Sequence, residues 1–254
     1  MTRLPALAAA GAGLALGLTG CASADSATSE QTLTVLAASS LAGTFTDLAA
    51  EFEGEHPGVD VKVVLDSSAT LAQQAIEGAP GDVLATADRA TMDRARTGHG
   101  TQSAPRQFAT NVVVLAVPKD NPAGIHAVGD LDRDGVDYLT CVPTAPCGAA
   151  AAALLEKDGI TREPVSQEVD VKSVLAKVEA GDADAGLVYR TDVTASAGKV
   201  TGIDVPGAAD SPNTYWVAIT ATSKQGSLAR AWIDFLTGSH GRAVLTTAGF
   251  GTVG

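Results

Sequence analysis

The chain has 254 residues, of which 45% are hydrophobic and 4% aromatic, and its formal net charge is −12 at pH 7. This length permits one large domain or two smaller ones, and the few aromatic residues predict a core built mainly from Ala, Val and Leu. The negative charge excludes nucleic acid and anionic membrane surfaces as partners, because both require basic patches on the protein. Any anion that the protein binds must be held by local dipoles.

The first 31 residues have the pattern of an export signal followed by a tether. Arg3 supplies a positive start, residues 7–18 are apolar, and the Leu-Thr-Gly-Cys sequence ending at Cys21 resembles a bacterial lipobox. We predict that residues 1–20 are a lipoprotein signal peptide and that residues 21–31 are a flexible tether after a lipidated Cys21. The alternative is an ordinary signal peptide with an accidental cysteine. The prediction places the mature protein outside the cytoplasm, anchored to the cell membrane by lipid.

A short strand followed by two serines comes next. Residues 33–36 have the pattern of a buried strand, Ser39 and Ser40 stand where a helix N-cap is expected, and apolar residues then recur at helical spacing. The first turn of a helix has backbone N–H groups without internal partners and carries the positive end of the macrodipole. Such a junction can bind an anion, although serine is also an ordinary cap.

The same arrangement recurs a short way along the chain. Residues 59–65 alternate like a strand, Asp66, Ser67 and Ser68 follow, and residues 70–77 have an apolar helical face. Two strand–serine–helix junctions in the first third of the chain predict one shared anion pocket.

Strands alternate with helices through the rest of the chain. The predicted strands are residues 83–87, 108–117, 138–142, 185–189 and 215–220. The predicted helices are residues 91–96, 128–131, 148–155, 171–178, 192–197, 227–236 and 240–248. This alternation predicts an α/β fold with largely parallel sheets, and no internal sequence repeat accompanies it.

Two further cysteines flank a turn that contains two prolines. Cys141 and Cys147 are separated by Val-Pro-Thr-Ala-Pro, and an exported protein folds in an oxidising compartment. We predict a disulfide across this turn, with free buried thiols or a metal-binding pair as the alternatives. A zinc site is disfavoured, because two thiolates are only half of its ligands and no histidine stands close in the sequence.

Four segments together resemble the molybdate-binding proteins of bacterial ABC importers. They are LAASSLAGTFTDLAAEF, DSSATLAQQAIEGAPGDVLATADRATMDRA, FATNVVVLAVPKDNP and DVKSVLAKVEAGDADAGLVYRTDV, and the tail from YWVAIT to GFG is similar as well. The resemblance implies a two-lobed, periplasmic-binding-protein-like (type II) fold with a hinge of two crossover segments and the ligand in the interlobe cleft. Lobe 1 would comprise residues 32–110 plus 214–254, and lobe 2 residues 111–213.

The resemblance also implies a set of ligand-binding residues, namely Ser40, Ser68, Cys147, Val171 and Tyr189. The two serines would donate from the hydroxyl and the backbone N–H, Cys147 and Val171 from the backbone alone, and the tyrosine from its phenol. Molybdate is a dianion that only accepts hydrogen bonds, so a site made of donors suits it. Molybdenum would enter only as this oxyanion, with no cofactor and no catalytic residue.

Three acidic or sulfur-containing residues bear on this interpretation. Cys147 stands where the family has a small residue, but a backbone donor is indifferent to its own side chain. Asp66 stands where the family has a small neutral residue, and we expect it to point away from the pocket. If it pointed inward, it would repel a dianion or select a protonated oxyanion such as hydrogen phosphate. Asp170 is expected to cap the helix that follows it.

Three classes of function are weighed. The favoured one is a monomeric solute-binding lipoprotein that delivers molybdate, and tungstate comparably, to the membrane permease of an ABC importer; sulfate and phosphate are the rival ligands. The second is a serine hydrolase using Ser39, Ser40 or Ser68, which is disfavoured because the chain lacks a G-x-S-x-G elbow. The third is a structural surface lipoprotein, which the pocket pattern disfavours.

Overall fold

The computed structural model describes residues 31–253, so the predicted signal peptide, the lipidation of Cys21 and most of the tether lie outside the described residues. The strands are β1 (Gln31–Ala38), β2 (Val59–Asp66), β3 (Val83–Thr86), β4 (Arg106–Asn111), β5 (Val113–Pro118), β6 (Tyr138–Cys141), β7 (Ser166–Glu168), β8 (Ala185–Tyr189), β9 (Val200–Asp204) and β10 (Asn213–Ile219). The helices are α1 (Ala42–Glu55), α2 (Ser68–Ile76), α3 (Arg89–Thr97), α4 (Pro146–Lys157), α5 (Val171–Ala180), α6 (Arg190–Ala195), α7 (Gly226–Thr237) and α8 (Ser239–Thr247). Short 3-10 turns occupy Ser39–Leu41, Val128–Asp132 and Ala208–Asp210. In this part of the chain no helix combines the length and apolar character that a membrane span requires.

The strands form two five-stranded sheets of the same design. The first sheet has the order β2-β1-β3-β10-β4, and the second has the order β7-β6-β8-β5-β9. In each sheet three neighbouring strands run parallel, and the next strand, β10 or β5, runs antiparallel to both of its neighbours. The predicted α/β class is confirmed. Four of the five strands in each sheet run in one direction, as expected of largely parallel sheets, and only β10 and β5 are reversed. The sequence did not mark these two strands, because a buried apolar run shows that a strand is covered and not which way it runs.

The apolar run at residues 108–117 is not one strand. Strand β4 ends at Asn111 and pairs in the first sheet, whereas β5 begins at Val113 and pairs in the second. Only Val112 lies between them. The hydrophobic pattern could not reveal this break, because both halves are buried strands with similar composition.

Two strands are absent from the sequence prediction. Strands β7 and β9 lie at opposite edges of the second sheet, and most of their residues are partly or fully exposed. An edge strand without a buried face carries no clear alternation of apolar and polar residues, so its pattern resembles that of a loop.

Each sheet and the helices packed on it form one lobe. Lobe 1 is the first sheet with α1, α2, α3, α7 and α8, and lobe 2 is the second sheet with α4, α5 and α6. The chain passes from lobe 1 to lobe 2 at Val112 and returns through residues 205–212. The two lobes are therefore joined by two crossover segments, as the resemblance implies.

The cores of the two lobes differ in composition. The core of lobe 2 consists mainly of Val, Leu and Ala, as the overall composition predicts. Lobe 1 also has a cluster of aromatic rings. The ring centroid of Trp232 lies 5.8 Å from that of Phe45 and 5.3 Å from that of Phe52, and the centroids of Phe108 and Tyr215 are 6.0 Å apart. The prediction of a core built mainly from Ala, Val and Leu is thus confirmed in both lobes, and what it did not show is that the few aromatic residues of the chain are concentrated in lobe 1.

Candidate functional site

A small cavity lies between the lobes, beside the first turns of α2, α4 and α5. Its lining comes from both lobes and consists of Ala38, Ser39, Ser40, Ser67, Ser68, Ala87, Pro146, Cys147, Asp170, Val171 and Tyr189. All five predicted ligand residues are among them. The space open to the centre of a water-sized sphere is about 10 Å³. In this conformation the cavity has no room for a sugar or a peptide.

The two serines after β1 do not cap a helix, which corrects the expectation from sequence. They belong to the 3-10 turn Ser39–Leu41, whose N-cap position is Ala38, and the N-cap position of α1 is Leu41; neither position makes a side-chain cap bond. Ser40, in this turn, contacts β10, which lies two strands away from β1 in the same sheet. Its buried hydroxyl lies 2.8 Å from the Tyr215 hydroxyl and lines the cavity.

The second serine pair is divided between two tasks. Ser67 occupies the N-cap position of α2 without a side-chain cap bond, and its N–H donates to the Asp66 carboxylate over 2.6 Å. The Ser68 hydroxyl accepts the N–H of Ala87 over 2.9 Å, so its own hydrogen is left to donate. Asp66 is not part of the cavity lining, which confirms the expectation that it stays out of the pocket.

A disulfide closes the turn before α4. Cys141 and Cys147 are bonded with their Cα atoms 5.7 Å apart, so the predicted pairing is confirmed and the alternatives of free thiols and a metal pair are wrong. Pro146 and Cys147 form the start of the helix, where backbone N–H groups have no partner within the helix. The turn packs tightly, since a Cβ on Gly148 would lie 2.0 Å from the Val142 carbonyl oxygen.

The start of α5 presents one uncommitted donor. Asp170 caps the helix as expected, because its carboxylate accepts the N–H groups of Lys172 over 2.8 Å and Ser173 over 3.1 Å. The cap satisfies the second and third N–H groups of the helix and leaves the first, that of Val171. Both Asp170 and Val171 line the cavity, so the residue that caps α5 also contributes to the lining of the site.

Tyr189 ends strand β8 and brings a phenol to the cavity. The side chain is 1% exposed, and its hydroxyl has no hydrogen-bond partner among the described residues. Burial, reinforced by Tyr215, Asp88 and Asp192 nearby, raises the pKa of Tyr189 well above its ordinary value, so the phenol stays protonated and can donate. A buried hydroxyl without a partner costs about 1–3 kcal/mol, which makes an accepting ligand the natural partner.

The cavity is lined by no lysine, arginine or histidine. Lys172 follows Val171 of the lining, and its ammonium lies 2.8 Å from the fully buried carboxylate of Asp192. Burial raises the pKa of Asp192, while Lys172 and the N–H of Tyr189 oppose that rise. The described residues contain no cluster of three or more His, Cys, Asp or Glu side chains that could hold a metal ion. The site therefore offers O–H and N–H dipoles without a positive charge.

Two residues behind the cavity are missing from the sequence prediction. Tyr215 contacts Ser40, and Asn111 donates from its amide to the hydroxyls of Thr191 over 2.8 Å and Tyr215 over 3.4 Å. No local signal could have found them, because Tyr215 lies 175 residues from Ser40 and reads as an ordinary buried strand residue.

Comparisons with known proteins cover almost all of the described chain. Residues 33–251 match the family described as bacterial extracellular solute-binding protein. The chain is similar to a protein of Mycobacterium tuberculosis (strain H37Rv) named molybdate-binding protein ModA. The two are 38% identical over 244 residues, which are 93% of this chain and 94% of the relative.

Solved structures show the same fold. The periplasmic molybdate-binding protein of Azotobacter vinelandii matches with a TM-score of 0.78 at 21% identity, over 87% of this chain and 100% of that chain. The sulfate-binding protein SubI of Mycobacterium tuberculosis H37Rv matches with a TM-score of 0.75 at 17% identity, over 88% of this chain and 87% of that chain. These likenesses confirm the predicted two-lobed fold of the type II periplasmic binding proteins.

Proposed function

The chain belongs to the family of bacterial extracellular solute-binding proteins, and we propose that it captures molybdate and delivers it to an ABC importer. The proposal is supported by the 38% identity to the molybdate-binding protein ModA of Mycobacterium tuberculosis over 93% of the chain. Tungstate should bind comparably, because the two oxyanions nearly match in size and charge. Release of the ligand unchanged to a membrane permease would complete the cycle, so no reaction is catalysed.

The observation that carries the proposal is the unpartnered phenol of Tyr189 in a cavity that already contains four other donor residues. Ser40 and Ser68 face Cys147, Val171 and Tyr189 across the interlobe space. Ser40 and Ser68 would donate from hydroxyls, and Cys147 and Val171 from backbone N–H groups at helix starts. A tetrahedral dianion has accepting oxygens in every direction, so it can use all of these donors at once.

The chemistry of the lining disfavours the other classes of function. A serine hydrolase requires a base beside the serine, and no histidine lines the cavity. A protonated oxyanion requires an acceptor. The one carboxylate in the lining, Asp170, already accepts two backbone N–H groups and a bond of 3.0 Å from the Ser173 hydroxyl. A fully deprotonated oxyanion therefore fits better than hydrogen phosphate.

Closure and location complete the proposal. The two crossover segments would act as the hinge between lobe 1 and lobe 2, and the lobes would close on the ligand. The protein would act as a monomer outside the cytoplasm, held to the cell membrane by lipid on Cys21. X-ray scattering should show compaction on saturation with molybdate, and an unchanged radius of gyration would count against closure.

A thermal-shift panel tests the ligand assignment. Molybdate, tungstate, sulfate, phosphate and chromate are each added to the purified protein, and the melting temperature is followed. Molybdate at about 100 times its Kd should stabilise the protein by about 2.7 kcal/mol, and tungstate should act similarly. Ser40→Ala should weaken the effect. Stabilisation by sulfate or phosphate without an effect of molybdate would refute the assignment.

A further inference from the structure

A chain of buried hydrogen bonds leads from the cavity into the junction of the lobes. The Ser40 hydroxyl lies 2.8 Å from the Tyr215 hydroxyl, which lies 3.4 Å from the amide nitrogen of Asn111. The same nitrogen lies 2.8 Å from the Thr191 hydroxyl. All four side chains are buried. Asn111 ends β4 beside the crossover at Val112, so this relay joins Ser40 of lobe 1 to Thr191 of lobe 2.

The direction of the relay follows from the amide of Asn111. Its oxygen accepts the N–H of Val112 over 2.9 Å, which turns the amide nitrogen, a donor only, toward the two hydroxyls. The Tyr215 oxygen accepts from Asn111 and keeps its own hydrogen, for which the Ser40 oxygen is the acceptor at hydrogen-bond distance among the described residues. Burial raises the pKa of Tyr215 above its ordinary value, so this hydrogen is retained. Ser40 accepts it, and the hydrogen of the Ser40 hydroxyl is left for the cavity.

We propose that Tyr215 and Asn111 are positioning residues that make Ser40 an obligate hydrogen-bond donor, and that they thereby select oxyanions without a proton over oxyanions that carry one. This inference rests on the proposed function and adds a source of selectivity to it. A dianion such as molybdate accepts from Ser40 without penalty. Hydrogen phosphate has one hydrogen to donate, and Ser40 in this orientation does not turn its oxygen to receive it.

The relay also makes the orientation of Ser40 depend on both lobes. Thr191 follows Tyr189 by two residues, at the start of α6. The Asn111 amide thus bonds to the element that carries the phenol donor and to the tyrosine that orients the serine donor. Two of the three hydroxyl donors, Ser40 and Tyr189, are therefore linked through their neighbours to the side chain of Asn111.

Titration calorimetry on Tyr215→Phe tests the proposal, with Tyr138→Phe as a matched control. Tyr138 is also buried, and its hydroxyl donates to the Arg162 carbonyl oxygen on a part of lobe 2 away from the cavity. The buffer is weakly alkaline, so that molybdate and hydrogen phosphate both carry two negative charges and differ in one proton. Tyr215→Phe should weaken molybdate binding about five- to tenfold, and Tyr138→Phe less than twofold. The melting temperatures of the two variants should fall by similar amounts.

The ratio of the affinities for molybdate and for hydrogen phosphate distinguishes positioning from a merely structural role. A purely structural role would leave this ratio unchanged. In Tyr215→Phe the Ser40 hydroxyl can rotate and accept, so the preference for molybdate over hydrogen phosphate should narrow at least about fivefold. Asn111→Asp replaces the donor by an acceptor and reverses the relay, so it should narrow the preference at least as much. Unchanged ratios in both variants, or an equal loss of affinity in Tyr138→Phe, would overturn the proposal.

The ligand preference of the wild-type protein shows whether this inference and the proposed function fail separately or together. A preference for sulfate over molybdate would refute the proposed function and leave the relay to be measured with sulfate, which is also a dianion without a proton. If the wild-type protein preferred hydrogen phosphate over both molybdate and sulfate, the inference about the relay and the proposed function would both be wrong.

Discussion

The two lobes have the same sheet design and are stabilised in different ways. Lobe 1 contains all five phenylalanines and both tryptophans of the chain, centred on Trp232. Lobe 2 has an aliphatic core, and its turn before α4 is closed by the disulfide between Cys141 and Cys147. The comparison teaches that this topology does not depend on one kind of core. What the lobes share is the placement of helix starts at the ends of parallel strands.

The lobes also differ in what they bring to the cavity. Lobe 1 contributes four serines, whereas lobe 2 contributes the starts of α4 and α5 and the phenol of Tyr189. Hydroxyl donors therefore come mainly from one side and backbone donors mainly from the other. Neither lobe alone lines the whole cavity, so the cavity exists only when both are in place.

The largest effect is expected from the aromatic core of lobe 1. Trp232→Ala removes a fully buried ring that packs edge-on against Phe45 and Phe52, and the free energy of unfolding should fall by about 3–5 kcal/mol. Urea denaturation measures this loss. Leu187→Ala in the aliphatic core of lobe 2 is the comparison, with an expected loss of about 2–5 kcal/mol. A loss below about 1 kcal/mol for Trp232→Ala would show that the aromatic centre is not what stabilises lobe 1.

The next effect concerns the disulfide of lobe 2. Replacing Cys141 and Cys147 together by alanine opens a loop with a sequence separation of 6, and the free energy of unfolding should fall by about 2–3 kcal/mol. Because Cys147 is in the first turn of α4, molybdate affinity should also fall, by about three- to tenfold. Reducing agent should reproduce both changes in the wild-type protein and have no effect on the variant. An affinity unaffected by reduction would show that the helix start is held without the disulfide.

A pair of hydroxyl deletions sharpens the contrast between the two sides of the cavity. Ser68→Ala should weaken molybdate binding about tenfold and also destabilise the ligand-free protein, because the N–H of Ala87 loses its acceptor. Tyr189→Phe should weaken binding similarly and leave the ligand-free protein as stable or more stable, because it removes a buried hydroxyl without a partner. Calorimetry and thermal unfolding measure the two effects.

Ser103→Ala is the matched control for Ser68→Ala. The Ser103 hydroxyl accepts the N–H of Ile219 over 2.9 Å in the same lobe and does not line the cavity. Ser103→Ala should lower the stability of the protein as Ser68→Ala does, and it should leave the affinity for molybdate unchanged. A ligand-free Tyr189→Phe protein that is clearly less stable than the wild type would contradict the assignment of its hydroxyl to the ligand.

The smallest effect is a pH dependence that originates in lobe 2. Burial raises the pKa of Asp192 above its ordinary value of 3.8, so the folded protein holds a proton that the unfolded chain has already released. Stability from this group is present below the unfolded pKa and is lost as the pH rises through the folded pKa. Asp192→Asn should therefore flatten the fall in stability over that window. Parallel curves of unfolding free energy against pH for the two proteins would contradict this expectation.

Much of the fold and the candidate site was predictable because its signals are local. The strand at residues 185–189 matches β8 residue for residue, and the cap at Asp170 and the disulfide follow from short patterns. Prediction failed where the feature is not local. The run at residues 108–117 belongs to two sheets, and the exposed edge strands have no buried face to mark them. The pattern of the serines after β1 predicts a helix cap, whereas in the structure they belong to a 3-10 turn that precedes α1.

The sequence by itself determined the α/β class, the junctions where strands lead into helices, and the five residues that line one cavity. These depend on apolar periodicity, helix-start residues and a family resemblance, all of which are contained in contiguous segments. Only the tertiary structure decided which residues stand behind the donors. Tyr215 and Asn111 reach Ser40 through contacts between residues more than 100 positions apart, and no periodicity in a chain encodes a contact at that distance.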